Sequence, residues 1–267
     1  MSANSRIISS INKRIFFDES GMSDDYPILM GGLSIPEDIY IKNDFYDLNG
    51  LRTHWTDFTK KDDMRKLLIT LSKYYEVVNI NVINYNYNAV LEDASNKFLD
   101  EDQSKQFANK TIYAKFPERI FYGLLRNNPQ HMFVKADVSI ENSQEYDTAL
   151  VKSVVETELN IQSIYRGESF LVNSVELKPK GVDIGLEMTD LILGIMRTII
   201  KNQKCSARNK KKNRFIIDLF KDNPLVYKLF STRIRLFEWN QNTSLRQVEF
   251  CEYIETFINS NNNIWYG

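Results

Sequence analysis

Carboxylates are the side chains of this sequence best placed to do chemistry. Ile15-Phe16-Phe17-Asp18-Glu19-Ser20-Gly21 runs three apolar β-formers straight into two acids and a Ser-Gly turn. An unpaired carboxylate beside a core is costly to desolvate. Asp18 therefore either faces a cation at a sheet's rim or, with Glu19, opens a solvated hairpin. Asp137 stands between Val134 and Val138 in a strand expected over residues 131–140. Glu187 and Asp190, three residues apart, share one face of a helix expected over residues 184–200 that is apolar nearly all round. Two acids on so apolar a helix are expensive as structure, which favours a functional role. Glu118 shares a helical side with Phe121 and Tyr122, which either turns it inward or leaves it on the surface beside Arg119. Carboxylates converging from separate elements are what a two-magnesium site requires.

Histidine is scarce, with only His54 and His131, so a multi-histidine metal site is excluded. Oxygen ligation favours Mg²⁺ or Mn²⁺ over zinc. His54-Trp55 precedes a helix expected over residues 60–75, where a loop either brings it to a site or packs it as an anchor. Cys205 and Cys251 have no partners at zinc-ligand spacing. Two cysteines without a secretory start point to a reducing, cytoplasmic setting. No run of about 18 apolar residues exists, so no membrane span is expected.

Residues 201–214 (KNQKCSARNKKKNR) hold seven cations and no acid, leaving the rest of the chain at −8 against a total of −1. Such asymmetry fits a polyanionic partner held by Lys204, Arg208, Lys210, Lys211, Lys212 and Arg214, or a solvated linker.

The elements that must position these groups alternate. Strands are expected over 26–35 (broken or bulged at Gly31-Gly32), 76–85, 131–140 and 169–177, after a first strand ending at Asp18. Helices are expected from Pro36, over 60–75, 113–125, 145–160 and 184–200. A long polar region covers 88–109, and 215–267 reads as helical with aromatic anchors. The fold class is α/β, a mixed sheet flanked by helices over 1–200. A basic segment and helical C-terminal extension follow over 201–267, whose aromatic residues could form a homo-oligomer interface.

Against this background residues 13–200 resemble the RNase H-like proteins of the family called domain of unknown function 3800. Phe17-Asp18-Glu19-Ser20-Gly21 is similar to that family's opening strand, and Gly31-Gly32-Leu33 to its second strand. Thr53-His54-Trp55-Thr56-Asp57-Phe58 is similar to its histidine-containing segment. Asp137 falls on the strand of its hydrophobic-Asp motif, and residues 185–194 (GLEMTDLILG) resemble its closing helix. The resemblance implies an RNase H-like fold and a metal-dependent nuclease. Asp18, Asp137 and Asp190 would be its metal-holding acids, and Glu118 the remaining helix carboxylate. Three departures stand out. Arg52 replaces a Glu, and either removes a ligand or contacts phosphate together with His54. Glu187 replaces a Gln and is a candidate extra ligand. Thr189 replaces a small residue.

Two functions compete on these residues: Mg²⁺-dependent hydrolysis of DNA or RNA, and a non-catalytic module binding nucleic acid or protein. A small-nucleotide hydrolase is weakened by the lack of a Gly-rich phosphate loop.

Overall fold

The alternation of apolar side chains along the first strand divides the molecule into two cores. The computed structural model describes residues 9–21, 25–98, 100–126, 132–142, 153–239 and 244–265. In β1 (Ser9–Ser20), Phe16 packs into one core and Ile15 and Phe17 into the other, as the two-residue period of a strand demands. β1 pairs antiparallel with β2 (Ile28–Pro36), which pairs antiparallel with β3 (Asn79–Tyr85). On its other side β1 pairs in parallel with β4 (Met132–Glu141), and β4 with β5 (Phe170–Lys178). β6 (Ile234–Trp239) joins β3 in parallel and β7 (Leu245–Val248) closes the edge antiparallel. The result is one mixed seven-stranded sheet in the order β5-β4-β1-β2-β3-β6-β7. The α/β expectation holds.

Twelve α-helices are described among these residues: α1 (Glu37–Tyr40), α2 (Asn43–Tyr46), α3 (Lys61–Ser72), α4 (Tyr87–Ser95), α5 (Glu101–Lys110), α6 (Phe116–Leu125), α7 (Leu159–Arg166), α8 (Ile184–Lys201), α9 (Ala207–Asp222), α10 (Pro224–Thr232), α11 (Phe250–Ser260) and α12 (Asn262–Trp265). π-helical turns at Thr111–Lys115 and Ser153–Glu158 lead into α6 and α7. α8 covers the Phe16 face with α3 and α9–α11, and α6 covers the Phe17 face. No helix among the described residues is long and apolar enough to cross a membrane.

Gly31 and Gly32 form no bulge; β2 runs unbroken. A Cβ on Gly31 would meet Leu193 Cδ2 at 2.5 Å, and one on Gly32 would meet Ile120 Cγ2 at 2.8 Å. The glycines let α8 and α6 press on β2 from opposite faces.

Three expectations are corrected. The polar region 88–109 holds α4 and α5, started by Asn86 and by Asp100, whose carboxylate accepts from Gln103 N at 2.7 Å. The segment after 200 is no appendage, because β6 and β7 extend the same sheet and Phe230, Phe250 and Phe257 are buried in the α8 core. Those rings are spent inside the fold rather than offered to a second copy. The basic run is no linker: Ser206 caps α9 by accepting from Asn209 N at 3.0 Å. Of the helix expected over 145–160, the first part lies outside the described residues, and Leu159 begins α7.

Candidate functional site

Parallel strands point their carboxyl ends the same way, and side chains gather there. Asp18 sits near that end of β1, on the face covered by α8. The β1–β4 register runs from Ser9 opposite Met132, through Arg14 opposite Asp137, to Phe17 opposite Ile140. The last residue of β4, Glu141, is therefore the neighbour of Asp18. Asp190 comes down from the second turn of α8, and Lys180 follows β5.

Asp18 is 8% exposed. Its Oδ1 accepts the Glu19 backbone N–H at 2.7 Å, while Oδ2 is buried without a hydrogen-bond partner. Burial, then the charges of Glu141 and Asp190, push its carboxyl well above the usual carboxylate range; the Glu19 N–H and Lys180 pull weakly the other way. Lys180 Nζ lies 3.1 Å from Glu141 Oε1. Burial opposes the charge on Lys180, but Asp190, Glu141 and Asp18 outweigh it and hold the amine above its ordinary value.

The closing helix also grips the loop ahead of α3. Glu187 Oε2 accepts from Thr53 N at 2.7 Å, and Asp190 Oδ2 accepts from Trp55 N at 3.0 Å. His54 Nδ1 lies 3.1 Å from that same Asp190 oxygen, and its Nε2 lies 2.7 Å from Thr56 Oγ1. The Asp190 hydrogen bond raises the His54 pKa above its ordinary value, against partial burial. The Glu187 carboxyl is raised by burial despite its Thr53 bond. Trp55 is buried and donates to Thr198 Oγ1 at 3.0 Å. Trp55 is thus the packed anchor of this loop, and His54 is brought against Asp190.

Two expected acids stand elsewhere. Asp137 shares the Asp18 face of the sheet but lies four residues before Glu141, about 13 Å along the strand. It accepts from Ser174 Oγ at 2.6 Å and Asn173 Nδ2 at 2.9 Å. Those two bonds, with Arg14 and Lys178, hold its carboxyl below the usual range although burial opposes them. Glu118 is buried on α6, across the sheet, where Lys115 Nζ at 2.7 Å and Gln162 Nε2 at 2.5 Å satisfy it. Glu118 turns inward, as one reading of its helical side held, but toward the wrong core. Glu141 and Lys180 escaped the sequence reading; the parallel register of β1 and β4 was the signal that could have found Glu141.

A cleft of about 490 Å³ adjoins the acids, lined by His54, Trp55 and Asp190 together with Arg208 and Lys212 of α9. Arg197 Nη2 pairs with Asp25 at 2.6 Å, and Lys201 pairs with the same acid. Arg208 has no ion pair among the described residues. Lys212 Nζ lies 4.8 Å from the centre of the Trp55 ring, and burial with the nearby Arg208 lowers its pKa to about 8. The other cations of the run stand apart. Lys204 donates to the Ser260 carbonyl, Lys210 and Lys211 are exposed, and Arg214 lies 3.9 Å from Asp218. Arg52 is exposed and packs over Gly181, beside the turn that carries Lys180.

Among the described residues no group of three or more His, Cys, Asp or Glu side chains closes into a ready-made metal cage. Comparison with protein-family models, curated proteins and solved structures finds no match.

Proposed function

We propose that the chain is an RNase H-like, Mg²⁺- or Mn²⁺-dependent nuclease that hydrolyses phosphodiester bonds in DNA or RNA. One observation carries this reading: the buried, unpartnered Oδ2 of Asp18 beside two further acids at the carboxyl end of parallel strands. A carboxylate so placed is costly without a cation. The strand order, with three antiparallel strands followed by two parallel ones on the far side of β1, supports the fold assignment.

The donors fit such a cation in kind. Asp18, Asp190 and Glu141 offer hard oxygen atoms, and Mg²⁺ is commonly held by one or two carboxylates, its other ligands being water and substrate phosphate. A bound divalent cation would neutralise the acids and polarise the phosphodiester. The chain's own groups do the rest. Arg208 and Lys212 bind the sugar-phosphate backbone in the cleft, without reading sequence. His54, whose pKa the Asp190 hydrogen bond raises, offers a proton-carrying group beside the acids. Glu187 fixes the loop that presents His54.

A second reading, a nucleic-acid-binding module without catalysis, is favoured by Lys180, whose amine already pairs with Glu141. Incubating the protein with labelled single- and double-stranded DNA and RNA in Mg²⁺, Mn²⁺ or EDTA separates the two. Metal-dependent cleavage supports the nuclease; binding unaffected by EDTA, with no cleavage of any substrate, supports the module.

A further inference from the structure

The opposite face of the sheet carries cations that the proposed reaction does not use. β6 places Arg235, Phe237 and Trp239 on the α6 side, by the two-residue period of the strand. A cleft of about 530 Å³ opens there, between the aromatic rings of Phe116, Phe237 and Trp239 and the guanidinium groups of Arg119, Arg126 and Arg235. A second hollow of about 310 Å³ shares Arg126 and Arg235 with it and adds Lys13 and Arg233. The two hollows therefore meet at one pair of arginines.

Acids are missing from both linings. Arg235 Nη2 donates to the Gly123 carbonyl at 2.8 Å, and Arg233 Nε to the Val78 carbonyl at 3.0 Å. Neither has a carboxylate partner among the described residues. Arg126 stacks on Tyr122, 5.3 Å from the ring centre. Residues 127–131 and 240–243, which adjoin this region in sequence, contain no acid either. Partly buried guanidinium groups facing one another are unfavourable alone, and burial with Arg126 and Arg233 pulls the Arg235 pKa below its ordinary value. Arginine forks match phosphate oxygens in a bidentate fashion. Next to them, Trp239 Nε1 is a buried donor with no partner, on a ring that packs 5.3 Å from Phe116. An aromatic slot with an unused donor suits a nucleobase, which stacks and accepts hydrogen bonds.

We propose that this double hollow binds a free nucleoside polyphosphate, its base against Trp239 and Phe237 and its phosphates across Arg126 and Arg235. The site lies across the sheet from Asp18, so it stands or falls separately from the nuclease reading. Its size agrees with a small ligand rather than a strand of nucleic acid.

The test is calorimetric titration of the full chain with ATP, GTP, CTP and UTP, with tripolyphosphate, and with a short single-stranded oligonucleotide. Tryptophan fluorescence is followed in parallel. At least one nucleotide is expected to bind, to quench Trp239, and to bind more tightly than tripolyphosphate. R126A, at an exposed position, should weaken that binding about tenfold or more. W239F should remove the fluorescence response, and D18N should leave affinity unchanged. R235Q should weaken it similarly, and if R235Q fails to fold, R126A alone decides. No binding of any nucleotide, equal affinity for tripolyphosphate, or binding of the oligonucleotide only would overturn the proposal. So would nucleotide affinity lost in R208A and kept in R126A, because the ligand would then sit in the other cleft.

Discussion

His54 Nδ1 and Asp190 Oδ2 lie 3.1 Å apart, and the same oxygen accepts the Trp55 backbone N–H at 3.0 Å. One carboxylate of the closing helix thus holds the histidine in place and favours its protonated form. In the folded chain the His54 pKa is raised, so the pair's contribution is complete below the ordinary value near 6.5 and fades as pH rises through the folded value. Asp190→Asn should return the His54 titration toward 6.5 in an NMR pH series, with a stability cost from the charge pair of about 1 kcal/mol at most, because the ring is partly solvated. An unmoved titration would break the link.

Asp18 shifts stability with pH in the same direction for the opposite reason, because the fold favours the charged form of His54 and disfavours that of Asp18. Its carboxyl is raised in the fold, so the folded state binds more protons than the unfolded one above the ordinary carboxylate value, and stability falls as pH rises through that window. Asp18→Asn should therefore stabilise the metal-free protein at neutral pH by about 1–3 kcal/mol. Mg²⁺ should raise the melting temperature of the wild-type chain and not that of the variant. Equal melting shifts in both would place the cation elsewhere.

Gly194 faces Trp55 so closely that a Cβ would clash with the Trp55 side chain, its indole ring included. The ring is held by Thr198 and backed by Phe58 and Phe215. Gly194→Ala should cost about 1–3 kcal/mol by overpacking and displace the loop that carries His54. Denaturant unfolding followed by tryptophan fluorescence checks both effects.

Much of this was legible because core packing writes a period into the sequence. The strand carrying Asp18, which runs two residues further to Ser20, and the apolar helix carrying Glu187 and Asp190 both stand where the alternation and the apolar run predict. The distance between Asp137 and Asp18 was not legible for a physical reason. A period of two fixes which face a side chain shares, not how far along the strand it lies, and Glu141 on that same face four residues later is the neighbour of Asp18. β6 was hidden because Arg235 and Glu238 interrupt its apolar residues, and only pairing with β3 makes Ile234–Trp239 a strand. α5 carries few apolar residues, yet its Asp100 cap was visible.

Lys212 titrates at about 8, between Arg208 and the Trp55 ring. Its charge in the free protein is lost between about pH 7 and 9. Affinity for nucleic acid should fall over that range in the wild-type chain and much less in Lys212→Arg. Lys212→Ala should lower the salt slope of binding by about 1. A pH profile shared by wild type and Lys212→Arg would remove Lys212 from the interface.

The most direct measurement is the cleavage rate of a labelled nucleic acid in Mg²⁺ by wild type, Asp18→Asn, Glu141→Gln and Asp137→Asn. A nuclease centred on Asp18 and its β4 neighbour predicts rates at least about 100-fold lower for the first two variants. Asp137→Asn should stay within about threefold of wild type, as expected of a residue remote from the reacting atoms. Cleavage that survives Asp18→Asn, or that Asp137→Asn abolishes while Glu141→Gln does not, would contradict the account.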